Sequence, residues 1–133
     1  MPTSTLADYV TLASPALMRA EGWETEGRTW RWEIEIGIGI PGTDDYRPLD
    51  ATGVTGVCEI REKVGGTVLA TPTVTVTEGL VTISLAQDDT AGLADGQPTR
   101  ECVWSCELAH AATSTSVQLW APSLSPFKIE SED

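Results

Sequence analysis

The run Trp30-Arg31-Trp32-Glu33-Ile34-Glu35-Ile36-Gly37-Ile38-Gly39-Ile40 decides the fold class. Every even position is apolar and every odd one is Arg, Glu or Gly. A period of two puts alternate side chains on opposite faces of an extended strand and leaves one face to be buried. The spacing predicts one strand over 30–40, ended by Pro41-Gly42-Thr43-Asp44-Asp45, because proline cannot donate to the ladder and glycine reaches positive φ. A loop to about Gly53 is expected next.

The same grammar continues downstream. Val57 to Val64 alternates with Cys58, Ile60 and Val64 on one side, and Gly65-Gly66 supplies a two-residue hairpin turn. Thr67 to Ala70 is a short return segment, and Pro72 bars a central ladder position. Thr73 to Thr77 and Leu80 to Leu85 form a second hairpin about Glu78-Gly79, with Val74, Val76, Val81, Ile83 and Leu85 inward. Gln87 to Leu93 suits one helical turn closed by Gly92, with Asp88-Asp89 at its positive N-terminal end. Glu101 to Ala109 sets Cys102, Trp104, Cys106 and Leu108 on one face, and after a His110 to Ser114 turn the last strand points Val117, Leu119 and Ala121 inward. That makes about seven short strands separated by turn signals, the pattern of an all-β, immunoglobulin-like antiparallel β-sandwich.

Around this sandwich, placed at 28–122, residues 1–27 read as an N-terminal arm with a short helix from Leu12 to Arg19, and 123–133 as a C-terminal tail, partly apolar at Phe127 and Ile129. An arm gains order only when it buries enough apolar surface to offset the entropy it loses. Leu12, Leu17 and Met18 are therefore expected to be buried when subunits meet.

The chain has 133 residues, and 20 acidic against 8 basic side chains give a net charge of −12. With no basic cluster, nucleic acid is a poor partner. No basic start followed by an apolar run, and no apolar stretch near the ~20 residues that span a bilayer, is found. The expectation is a soluble protein made in a cytosol, with no membrane partner. Three cysteines argue against a secreted disulfide framework. Cys102 and Cys106 would lie about 13 Å apart on one strand, too far to pair when a disulfide needs Cα atoms within roughly 7 Å. Buried thiols are expected, with a meeting of either residue with Cys58 across a sheet left open.

Reactive constellations are sparse. His110 is the only histidine and falls in a turn, so a triad would have to be built on one imidazole. Cys-x-x-x-Cys at 102 and 106 is not zinc spacing, and Asp44-Asp45 with Asp50 lacks the ligand spacing of a calcium loop, reading instead as a solvated acidic loop. No catalytic, cofactor or metal site is expected. Of five tryptophans, Trp30, Trp32 and Trp104 belong to apolar faces. Trp23, in the arm, and Trp120, at outward parity relative to Val117 and Leu119, are expected to be exposed, as protein-interface anchors or sugar-stacking platforms.

The runs Gly27-Arg28-Thr29-Trp30-Arg31-Trp32-Glu33-Ile34, Pro48-Leu49-Asp50-Ala51-Thr52-Gly53-Val54, Cys58-Glu59-Ile60-Arg61-Glu62-Lys63, Gly65-Gly66-Thr67-Val68-Leu69-Ala70, Val81-Thr82-Ile83-Ser84-Leu85 and Asp89-Thr90-Ala91-Gly92-Leu93, in that order, resemble the immunoglobulin-like N-terminal domain of bacteriophage baseplate upper proteins and related virion modules. The resemblance covers most of residues 27 to 129. It implies a non-enzymatic virion protein, assembled in the host cytoplasm and docking on other virion proteins, as a homo-oligomer such as a trimer. Members of that family usually continue into fibre or receptor-binding regions, whereas this chain stops soon after the domain. Capsid decoration (cement) is therefore the leading expectation, with a tail or baseplate attachment module and a carbohydrate-binding module as the alternatives. Docking is expected through the arm, an exposed sheet edge or Trp120.

Overall fold

The computed structural model describes residues 3, 5–9, 20–39 and 42–132. The expected helix at 12–19 and the arm contacts assigned to Leu12, Leu17 and Met18 lie outside the described residues.

Eleven strands, two short α-helical turns and two 3-10 turns, Ala111–Thr113 and Pro122–Leu124, are seen among them. The elements are α1 (Leu6–Asp8), β1 (Gly22–Thr25), β2 (Trp30–Glu35), β3 (Gly37–Gly39), β4 (Tyr46–Pro48), β5 (Val54–Arg61), β6 (Val68–Ala70), β7 (Thr73–Thr77), β8 (Leu80–Leu85), α2 (Gln87–Thr90), β9 (Thr99–His110), β10 (Thr115–Trp120) and β11 (Pro126–Glu130). One sheet runs β1-β11-β9-β5-β6, with β10 also paired to β9; the facing sheet is β2-β8-β7, and β3-β4 forms a separate ribbon. This is the expected all-β sandwich of largely antiparallel sheets, built from more strands than the seven or so expected. All pairings are antiparallel except that of β1 with β11, which is parallel.

The deciding run departs from expectation at one place. Its alternation holds, but pairing with β8 stops at Glu35, and Gly37–Gly39 pairs with β4 instead. The break comes at Ile36, whose N–H takes the Gly79 carbonyl while its own carbonyl accepts from Leu49 N–H, each at 3.0 Å. Period two was kept, so Ile36 and Ile38 still point inward; the change of partner strand leaves no trace in the hydropathy pattern. For the same reason the expected loop before Gly53 holds the short strand β4. The first hairpin turn is also displaced: Gly66 N–H bonds the Lys63 carbonyl at 2.8 Å, so Val64 and Gly65, at φ 73°, are the central residues. Arg61 braces it, donating to the Gly66 carbonyl at 2.8 Å and pairing with Glu59 at 3.0 Å.

Two boundaries need larger corrections. The residues expected to form a tail contain β11, which pairs with β9 and places Phe127 and Ile129 in the core. Residues expected to form a free arm contain β1, a member of the same sheet, and Leu6, which is buried in the core cluster. Carbonyl and carboxylate groups from 20–26 bind the body directly. Trp104 Nε1 donates to the Ala20 carbonyl at 2.9 Å and Trp30 Nε1 to the Thr25 carbonyl at 2.7 Å. The Glu26 carboxylate accepts from the backbone N–H of Ala94 at 2.9 Å and of Glu132 at 3.4 Å. A buried indole N–H left without an acceptor carries a desolvation cost, and for Trp30 and Trp104 the acceptors are supplied by the N-terminal segment.

Between the sheets the rings form one continuous group. Trp32 lies 5.1 Å from Trp104 and 5.7 Å from Phe127, Trp30 lies 5.5 Å from Phe127, and Trp104 lies 4.8 Å from Trp120, all within the 4.5–7 Å range, roughly, of favourable aromatic pairs. Trp120 is only 2% exposed, which corrects the expectation of an outward anchor. The cause is a β-bulge: Gln118 opposes Glu107, but Trp120 already opposes Cys106, so Leu119 is an extra residue. An inserted residue reverses the side-chain parity beyond it, and Leu119 and Trp120 are both buried.

The buried Trp120 Nε1 has no hydrogen-bond partner among the described residues, whereas Trp104 Nε1 has one. Replacing Trp104 strips the Ala20 carbonyl of its donor; replacing Trp120 removes an unsatisfied group. Trp104→Phe is therefore expected to destabilise the fold by about 1–3 kcal/mol more than Trp120→Phe, measured by urea denaturation. Equal losses would show that the Ala20 bond is energetically idle.

Candidate docking surface

Strand β1 closes one edge of the larger sheet, with no strand outside it among the described residues. It can approach β11 because Gly22 has no side chain: a Cβ there would come within 2.1 Å of the Phe127 ring. With Gly22 facing inward, alternation turns Trp23 outward and Glu24 back toward Trp32. The Trp23 indole is 63% exposed, the largest apolar side chain so presented, and Lys128, its register partner on β11, holds Nζ 5.5 Å from the ring centroid, a cation–π geometry. Glu24 is raised above the usual carboxylate range by burial, a shift reduced by the neighbouring Trp32 indole.

Trp23 borders a shallow depression with Glu21, Pro126 and Lys128. A second depression, lined in part by Lys63, Val64, Val103, Pro126 and Lys128, adjoins it across Pro126 and Lys128. The outward face therefore carries a broken apolar line from Trp23 through Pro126 and Val103 to Val64, which is 57% exposed. Both lysines of this acidic chain lie along it. Of the residues expected to bind partners, the structure thus places Trp23 at the surface and Trp120 in the core. Pro126, Lys128 and Val64 were missed; the first two sat in a presumed tail, and Val64 was read as an inward strand residue.

A different depression holds the single histidine. It is lined by Thr5, Leu6, Asp50, Thr52, His110 and Thr113, among others. His110 Nδ1 lies 2.8 Å from Thr113 Oγ1, which lies 2.8 Å from Thr115 Oγ1. The Asp50 carboxylate accepts the Thr52 backbone N–H at 3.0 Å. It is held below the usual aspartate range first by hydrogen bonds from the Thr52 backbone and hydroxyl, with a smaller attraction from His110. Asp50 thus serves the turn before β5, and its link to the imidazole is through space. Asp45 lies 3.6 Å from Arg47 Nε. No group of three or more His, Cys, Asp or Glu side chains able to hold a metal is found among the described residues. Asp88 and Asp89 occupy the first turn of α2, the position their charge suits.

No protein-family model and no curated protein sequence matches the chain.

The Asp50 shift has a definite sign. A carboxylate whose folded-state pKa is lowered contributes stability that is present above its unfolded value and is lost as pH falls through the folded one. Urea denaturation of the wild type from neutral pH to below 3.8, the ordinary aspartate value, is therefore expected to show a steeper acid loss than Asp50→Asn. Parallel curves would show that the Thr52 bonds do not favour the charged form.

Proposed function

We propose that the chain is a non-enzymatic structural protein of a bacteriophage particle, a capsid decoration protein that docks on the outside of the shell through the β1–β11 face. The observation that carries the reading is Trp23: a large indole, 63% exposed, held on a paired strand rather than on a free arm. Rigid aromatic side chains at the surface make strong interface anchors because little side-chain entropy is lost when they are covered. The resemblance of residues 27–129 to immunoglobulin-like virion domains supports the setting, and the net charge of −12 favours a position facing away from packaged DNA. A basic or mixed-charge surface on the major capsid protein or on a tail protein is the partner that this acidic body, with Lys63 and Lys128 at the face, would meet.

The same domain fits a tail or baseplate site, and one experiment separates the two placements. Particles assembled without the chain are expected to lose density from the shell; loss from the tail selects the second placement, and unchanged particles defeat both. A carbohydrate-binding role is the other reading favoured by an exposed indole, although Lys128 already lies over the ring. Glycan-array binding that disappears in Trp23→Ala would select it.

On the protein-docking reading, Trp23→Ala keeps the fold and weakens co-sedimentation with chain-free particles by about thirtyfold, the loss of a hot-spot residue. Undiminished binding would remove Trp23 from the interface.

A further inference from the structure

We infer that Cys58 and Cys106 form a fold-directed oxidation site, a cross-strand pair that closes to a disulfide when the chain folds in the presence of a thiol oxidant. This inference is independent of the proposed function. Both residues are free and fully buried, and they stand directly opposite each other on β5 and β9.

The hydrogen-bond pattern shows which kind of opposed pair they make. In an antiparallel strand the N–H and C=O of one residue point to the same edge, and successive residues alternate. Trp104 N–H donates to the Ser125 carbonyl at 3.1 Å, so even-numbered residues of β9 direct their backbone groups away from β5. Glu62 N–H donates to the Thr67 carbonyl at 2.9 Å, so even-numbered residues along β5 direct theirs toward β6. Cys58 and Cys106 are both even, and the register between β5 and β9 is unbroken from Val54 to Arg61. They therefore form a non-hydrogen-bonded pair, whose Cα atoms lie about 4.5 Å apart with side chains close. Disulfides accept Cα separations of roughly 4.4–6.8 Å.

The facing Cys106 thiol, followed by burial, pushes the Cys58 thiol well above the ordinary range. A protonated thiol is a poor nucleophile, so the folded, reduced protein is slow to oxidise and the pair closes as the sheet assembles. With oxidised glutathione, one cysteine thiolate attacks a glutathione sulfur and releases one glutathione thiolate. The second cysteine thiolate then attacks the protein sulfur of that mixed disulfide and releases the other. One S–S bond is exchanged for another, the two cysteines are oxidised, the glutathione disulfide is reduced, and the two cysteine protons end on the released glutathione. Cys102 lies on the same face of β9, four residues from Cys106, and opposes Phe127 on β11 rather than a cysteine.

The test is refolding of the reduced, unfolded chain in a buffer of reduced and oxidised glutathione, followed by alkylation and peptide mapping. Random closure would favour Cys102 with Cys106, the shortest loop. Selection of Cys58 with Cys106, leaving Cys102 alkylated, is the expected result. The oxidised form should unfold at a temperature higher by on the order of 10 °C. Cys102→Ser should keep both the pairing and the shift, while Cys58→Ser and Cys106→Ser should lose them. Three alkylated thiols, or a disulfide that includes Cys102, overturn the inference. The Cys102→Ser variant, which leaves the opposed pair intact, decides the matter if the other two fail to fold.

Discussion

Buried indoles impose the constraint on which this domain depends. Trp30, Trp32, Trp104 and Trp120, with Phe127, occupy the space between the sheets, and a buried indole N–H left without an acceptor carries a desolvation cost. Trp30 and Trp104 find acceptors in the Thr25 and Ala20 carbonyls. The N-terminal segment is consequently part of the body: it supplies acceptors to Trp30 and Trp104 and adds β1 to the sheet. Glu26 extends the arrangement, joining the crossover after α2 and the C-terminal residues through its two oxygens.

That constraint also shapes the outer surface. Once residues 20–25 are fixed by the indoles, and Gly22 is pressed against Phe127, alternation leaves Trp23 no inward position. An exposed tryptophan on a rigid edge strand follows from the way the core is satisfied. Lys128 lies beside it because parallel pairing puts the two residues in register. The proposed docking face and the core are thus linked through one short strand, in which inward residues hold the fold and Trp23 points outward.

Much of the architecture was legible in the residues. Leu80–Leu85 and Thr73–Thr77 have the bounds their patterns predict, because both are regular strands with a turn at Glu78-Gly79 and no irregularity to disturb parity. The turn after β8 and its acidic start were legible for the same reason. Trp120 was not, since a bulge is an insertion relative to a partner strand and the partner is unknown until the sheet forms. Nor was β11: Phe127 and Ile129 alternate correctly, but a strand of five residues behind Pro122 and Pro126 gives a pattern too short to distinguish from a partly apolar tail.

By itself, then, the sequence determined that the chain is all-β, which faces of most strands are oily, roughly where most turns fall, and that the chain is strongly acidic. These are local properties, set by side-chain period, glycine and proline conformational limits, and composition. Tertiary structure alone decided that β1 and β11 lie side by side in one sheet, that Cys58 faces Cys106, and that of the two tryptophans expected outside, Trp23 is exposed and Trp120 buried. Each of those outcomes depends on register between strands distant in sequence, and a one-residue change in register or pairing reverses which way a side chain points.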